Sequence, residues 1–94
     1  MLNAVATVVI DNERVRVTHW RFAPGSHTGR HRHEYAYVVV PMTTGPLAAL
    51  LSDGGESSAQ LTAGAPYYRE AGVEHDVVNP NPDEFVFVEI ELKR

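Results

Sequence analysis

The sequence contains no cysteine. That absence excludes disulfides, thiolate metal ligands and cysteine nucleophiles together. It also deprives soft ions such as Cu(I) of their preferred donors and leaves only nitrogen and oxygen. Long apolar runs are missing as well: no stretch approaches the roughly 20 residues that a membrane-spanning helix requires. No basic segment leads into an apolar one at the N-terminus, so no signal peptide is read there, and the default expectation is a soluble, cytoplasmic protein. Basic excess is lacking too, since eight Lys and Arg stand against twelve Asp and Glu, a formal charge of -4. Nucleic-acid binding normally leaves a basic patch, so neither nucleic acid nor membrane is an expected partner. Nowhere do apolar residues recur at helical spacing. The 94 residues suffice for one modest core, and residues 1–94 are read as a single domain.

What the chain does have is short β-prone segments between strong turn signals. Residues 5–10 are β-branched and are followed by Asp11-Asn12. Residues 14–22 alternate charged positions with Val15 and Val17, then move the apolar positions to Trp20 and Phe22. That change of parity predicts a bulge, or a strand that changes the face it buries. Residues 35–40 are aromatic and β-branched and stop at Pro41, and residues 47–51 are apolar but too short for a helix. Asp53-Gly54-Gly55-Glu56 reads as a hairpin turn, and residues 57–61 return as a polar edge strand. Residues 67–69 form another short strand, Gly72 marks the turn that delivers His75, and Asn79-Pro80-Asn81-Pro82-Asp83 is a loop. Residues 85–92 alternate cleanly. Val86, Val88, Ile90 and Leu92 are the expected core set, with Phe85, Phe87, Glu89 and Glu91 opposite. About eight to ten short strands, with turns about every 8–12 residues, predict an all-β sandwich or barrel.

The chemistry concentrates in residues 25–33, Gly-Ser-His-Thr-Gly-Arg-His-Arg-His. On an extended segment side chains alternate with period two, so His31 and His33 point to one side and Arg32 to the other. A third histidine, His75, lies in a second patterned stretch spanning residues 64–79.

Together these residues resemble the two motifs of the cupin superfamily, G-x5-H-x-H-x3/4-E-x6-G and G-x5-P-x-G-x2-H-x3-N. Gly25, His31, His33 and Gly45 match the first, and Gly64, Gly72, His75 and Asn79 match the second. The motif glutamate is replaced by Tyr37 or Val38, according to the gap, and the second motif's proline by Glu70. The resemblance implies a small jelly-roll β-barrel with a metal centre of His31, His33 and His75 that lacks the usual carboxylate. Some cupins work with three histidines, among them thiol dioxygenases and diketone-cleaving dioxygenases. The runs Phe22-Ala23-Pro24-Gly25, His31-Arg32-His33-Glu34-Tyr35 and residues 68–75 look like those of small cupins linked to β-alanine degradation.

Three neutral imidazoles suit a divalent Fe, Zn, Ni or Mn ion and leave a coordination position open. With no carboxylate to offset its charge, such an ion would favour an anionic or chelating small molecule and act as a Lewis acid. Glu34, Glu70 and Glu74 are candidate outer partners for the imidazoles. Tyr37 could donate a hydrogen bond to a bound ligand or simply line the barrel. Glu70 could be a general base or a turn residue. His27 could be an alternative ligand or a loop histidine. At most one of Tyr67 and Tyr68 can line a pocket, and Arg69 reads as a surface or interface charge ahead of a substrate clamp. The expected function is a metal-dependent enzyme, an oxygenase or a lyase/isomerase acting on a small carboxylate. The alternative is a non-catalytic binding, sensor or accessory module with a degenerate site. Exposed strand edges lead us to expect a homodimer.

Overall fold

The computed structural model describes residues 2–94. Among them are nine strands: β1 (Val5–Asp11), β2 (Val15–Phe22), β3 (His31–Arg32), β4 (Ala36–Pro41), β5 (Gly45–Leu51), β6 (Glu56–Leu61), β7 (Tyr67–Arg69), β8 (Glu74–Val78) and β9 (Phe85–Leu92). No described residue is helical. One sheet has the order β1-β2-β9-β4-β7 and the other β3-β8-β5-β6, with every named pairing antiparallel. This is the expected jelly roll, with one correction. The barrel is not closed by hydrogen bonds, because the edges β1 and β7 of one sheet pair with neither β3 nor β6 of the other.

Turn chemistry explains the local course of the chain. Ser26 N–H donates to the Ala23 carbonyl at 3.0 Å, with Pro24 and Gly25 between them and Gly25 at φ 76°. That is the dihedral a type II turn demands at its third residue, and glycine meets it without a Cβ penalty. The β5–β6 hairpin closes over Asp53 and Gly54, where Leu51 N–H reaches the Gly55 carbonyl at 2.8 Å. Polar β6 lies at a sheet edge, as its composition predicted.

Two strands depart from the pattern read in the sequence. β2 neither bulges nor changes face: its pairing with β9 runs without a slip from Val15–Leu92 to Phe22–Phe85. The irregularity falls in β1, between Val8 and Ile10. Likewise the buried side of β9 is Phe85, Phe87, Glu89 and Glu91, and the valine, isoleucine and leucine set faces outward, half-buried. Both departures have one cause. The inner face of the five-stranded sheet is graded, apolar at one end and polar at the other, so hydrophobicity alone does not mark it.

The grading follows from the register. Phe22 lies beside Phe85, Trp20 beside Phe87, Thr18 beside Glu89, and Arg16 beside Glu91. On the other flank of β9, Pro41, Val39 and Tyr37 of β4 sit beside Phe87, Glu89 and Glu91. β7 then places Tyr67 next to Val39 and Arg69 next to Tyr37. The apolar end forms the core with Leu47 and Leu61 of the facing sheet. Phe22 and Phe85 are fully buried, and each contributes about 2–3 kcal/mol of transfer free energy.

Candidate metal centre

His31 and His75 are brought opposite one another by the β3–β8 ladder, where they are direct partners. His33 lies just past β3, but its backbone stays locked to the turn before β8. Its N–H donates to the Val73 carbonyl at 2.9 Å and its carbonyl accepts from Gly72 N–H at 2.8 Å. Gly72, at φ 100°, supplies the left-handed backbone that this turn requires. Arg32, between the two histidines, is exposed as the alternation predicted.

The imidazoles converge through their Nε2 atoms. His31 Nε2 and His33 Nε2 are 3.1 Å apart, and His33 Nε2 and His75 Nε2 are 3.2 Å apart. Three nitrogens each about 2.1 Å from a shared ion stand about 3.0–3.4 Å from one another. Two of the pairs meet that spacing and all three donors lie within 4.8 Å, so the set could hold a divalent metal. The tautomer also fits: His31 Nδ1–H donates to the Gly29 carbonyl at 2.8 Å, leaving the Nε2 lone pair free to bind. Burial, then the nearby His31, pushes His33 down to about 4. Burial, then His31 and His33, does the same to His75. Both rings are therefore neutral at pH 7, the form in which imidazole binds a metal.

Tyr37 is buried and stacks on His33, with ring centroids 3.9 Å apart and an interplanar angle of 19°. Burial raises its phenol to about 12, so it remains a protonated hydrogen-bond donor. Glu70 is exposed just beyond β7, outside the lining of either cavity at the site. His27 is not a fourth member of the cluster: its Nδ1–H donates to the Asp76 carboxylate at 2.9 Å. Asp76 also accepts from Gly29 N–H at 3.0 Å, so this carboxylate ties the histidine loop to β8. Of the three proposed outer glutamates, Glu34 borders the second, more charged cavity and Glu74 pairs with Arg30 at 3.7 Å.

Two cavities flank the imidazoles. One, of about 240 Å³, runs between the sheets over Val39, Leu47, Leu61 and Phe87 and takes in all three histidines. The other, of about 260 Å³, is bordered by Arg16, Arg32, Glu34 and Glu91. Trp20, Thr28, His31, His33 and Glu89 belong to both and stand between them. Tyr67 faces the first cavity while Tyr68 is exposed, and Arg69 is exposed as its reading as a surface charge expects, yet also lines the rim of that cavity.

Glu89 and Glu91 were not among the sequence candidates. Glu91 is held by Arg16 through two 2.8 Å bonds, Nε to Oε1 and Nη2 to Oε2. Glu89 has no such partner. Burial, then the neighbouring Glu91, lifts its carboxyl to about 7. The Trp20 indole N–H eases that rise slightly but lacks hydrogen-bond geometry to any acceptor. The clean alternation of residues 85–92 was the available signal for this pair, once the inner face is assigned by register instead of hydropathy.

No family model matches this sequence. Three proteins align over nearly its whole length. The β-alanine degradation protein BauB of Pseudomonas aeruginosa is 57% identical over 90 residues, covering 96% of this chain and 94% of that protein. A cupin domain of Bordetella pertussis Tohama I, known as a crystal structure, is 59% identical with a TM-score of 0.95, over 99% of this chain and 96% of that one. A Klebsiella pneumoniae protein with a double-stranded β-helix domain shares the fold at 22% identity and TM-score 0.78, over 97% and 77% of the two chains. With the jelly-roll topology and both histidine motifs in place, the 59% identical cupin domain establishes that the chain belongs to the cupin superfamily.

Proposed function

We propose that this protein is a divalent-metal-dependent enzyme of the oxygenase or lyase/isomerase type. Its substrate is a small carboxylate-like molecule, handled at a centre formed by His31, His33 and His75. The observation that carries this reading is the convergence of three Nε2 atoms at 3.1 and 3.2 Å on the wall of a cavity. Iron, zinc, nickel or manganese would supply Lewis acidity there and, in the case of iron, oxygen chemistry. The protein's own groups have distinct tasks. The imidazoles bind the ion, Tyr37 donates a hydrogen bond to the ligand, and Val39, Leu47 and Leu61 exclude water from its apolar side. Glu70, the other candidate proton carrier, gains no support from its exposed position. The name of BauB supports a setting in the breakdown of a short amino or carboxylic acid. A cytoplasmic homodimer belongs to the same reading.

One observation favours the second reading, a non-catalytic ligand-binding or sensor module. Tyr37, at one of the two positions matching the motif glutamate, keeps its phenol neutral and adds no charge to hold the ion. Elemental analysis of untagged protein separates the two, run beside a variant with His31, His33 and His75 all changed to alanine. Stoichiometric metal in the parent, lost in a folded variant, is the expected result. A parent that stays metal-free after exposure to Fe(II), Mn, Ni and Zn would leave the binding module as the surviving reading.

A further inference from the structure

Arg69 is the one arginine that lines the cavity holding all three histidines, and it is partly open to solvent at the edge of the sheet. Arg16 is spent on Glu91, whereas Arg69 makes no ion pair among the described residues. Its one hydrogen bond runs from Nη1 to the Tyr68 carbonyl at 3.1 Å, so most of its donors are unengaged. The guanidinium is nevertheless held in place, 4.6 Å above the Tyr67 ring, where the ring's negative face favours a cation. It lines the cavity that holds the three histidines, and it sits directly across the β4–β7 ladder from Tyr37, which stacks on His33.

We propose that Arg69 anchors the carboxylate of a short organic monoanion whose other end reaches toward the three imidazoles. The inference rests on reading that cavity as the ligand site, and it adds the residue that selects the ligand. A planar guanidinium fork matches two carboxylate oxygens, a geometry that an ammonium does not reproduce. Arg69 lies one strand spacing, about 4.8 Å, from Tyr37, whose ring stacks on His33, so a short ligand suffices to reach between them. A cavity of about 240 Å³ suits that size. Its facing wall of Leu47, Ala49 and Leu61 takes an apolar body. The cavity offers a single guanidinium, so a ligand with one carboxylate is preferred to a dianion.

Titration calorimetry with propionate, propionamide and malonate tests this on the parent, Arg69→Gln and Arg69→Lys, with the metal content of each sample measured alongside. We expect propionate to bind the parent at least tenfold more tightly than either other probe. Arg69→Gln should lose at least tenfold in propionate affinity at unchanged metal content, and Arg69→Lys should fall between. Equal propionate affinity in the parent and Arg69→Gln would overturn the inference, as would a parent that binds none of the probes or does not discriminate among them. Binding lost in the triple histidine variant but retained in Arg69→Gln would place the carboxylate on the metal instead, and also overturn it. Arg69-dependent binding to a metal-free parent would support the anchor while removing the metal reading.

Discussion

At the scale of single residues, the inner face of β9 sets two carboxylates in opposite states two positions apart. Glu91 is ion-paired to Arg16, while Glu89 is buried without a counter-charge and titrates near 7. For Glu89 the folded pKa lies above the unfolded value, so between about pH 4.5 and 7 the folded state keeps a proton that the unfolded chain has lost. Its contribution to stability therefore falls as pH rises through that window, and the penalty is complete above about 7. Glu89→Gln should then gain about 1–3 kcal/mol over the parent at pH 8 relative to pH 5, measured by urea unfolding at both pH values. An unchanged gap would show that Glu89 does not carry this burden. His33 and His75 act in the opposite direction, since their depressed pKa values remove stability as pH falls from about 6.5 to 4. They are common to both proteins and cancel in the comparison. Tyr37 offers a second check. Tyr37→Phe keeps the ring on His33 and should leave metal content unchanged, whereas Tyr37→Ala should cost about 3–5 kcal/mol and lower it.

At the scale of elements, the site depends on loops tied down by buried polar groups. Asn79 is wholly buried, and its Nδ2 donates to the Phe22 carbonyl at 3.1 Å and the Asp83 carbonyl at 2.9 Å. Its Oδ1 accepts from Asn81 N–H at 2.9 Å, so one amide joins the end of β2 to the loop before β9. Asn79→Ala strands these groups without partners and should destabilise the fold by about 2–4 kcal/mol in chemical denaturation. A loss under about 0.5 kcal/mol would mean that water replaces the amide. The motif asparagine is thus a loop staple, while the motif histidines are the site. The two looked alike as spaced letters in the sequence. They separate only when hydrogen bonds show that Asn79 is satisfied by backbone and that the Nε2 atoms face one another.

At the scale of the whole molecule, the five-stranded sheet carries apolar residues on both sides. Its inner side carries the core. Its outer side carries Val86, Val88, Ile90 and Leu92, half-buried, and beyond β2 lies the edge strand β1, whose seven residues are all exposed. Val5, Val8, Val9 and Ile10 are each about half exposed or more, at 59%, 52%, 58% and 48%. An apolar patch of this kind marks an association surface, and a second copy of the chain is the occupant that the homodimer reading requires. Light scattering at micromolar concentration should give twice the mass of 10.4 kDa, and the double substitution Val9→Lys with Ile10→Lys should reduce it to the monomer. A monomeric parent would remove the homodimer from the proposal.

The sequence by itself determined the class of fold and the position of the three candidate metal-binding histidines, because both are written in short-range spacing. Turn residues every few positions delimit the strands, and a period of two sends His31 and His33 to one side whatever the rest of the chain does. What it could not determine was which side of a strand faces inward when the inward side is the less apolar one, as in β9. Nor could it show that Arg69 lines the cavity or that Glu89 is enclosed without a partner. Those assignments depend on which strand lies beside which, and that is set by cross-strand register between residues as far apart in sequence as Arg16 and Glu91. Spacing along the chain carries no trace of that register, so only the packed sheets decide it.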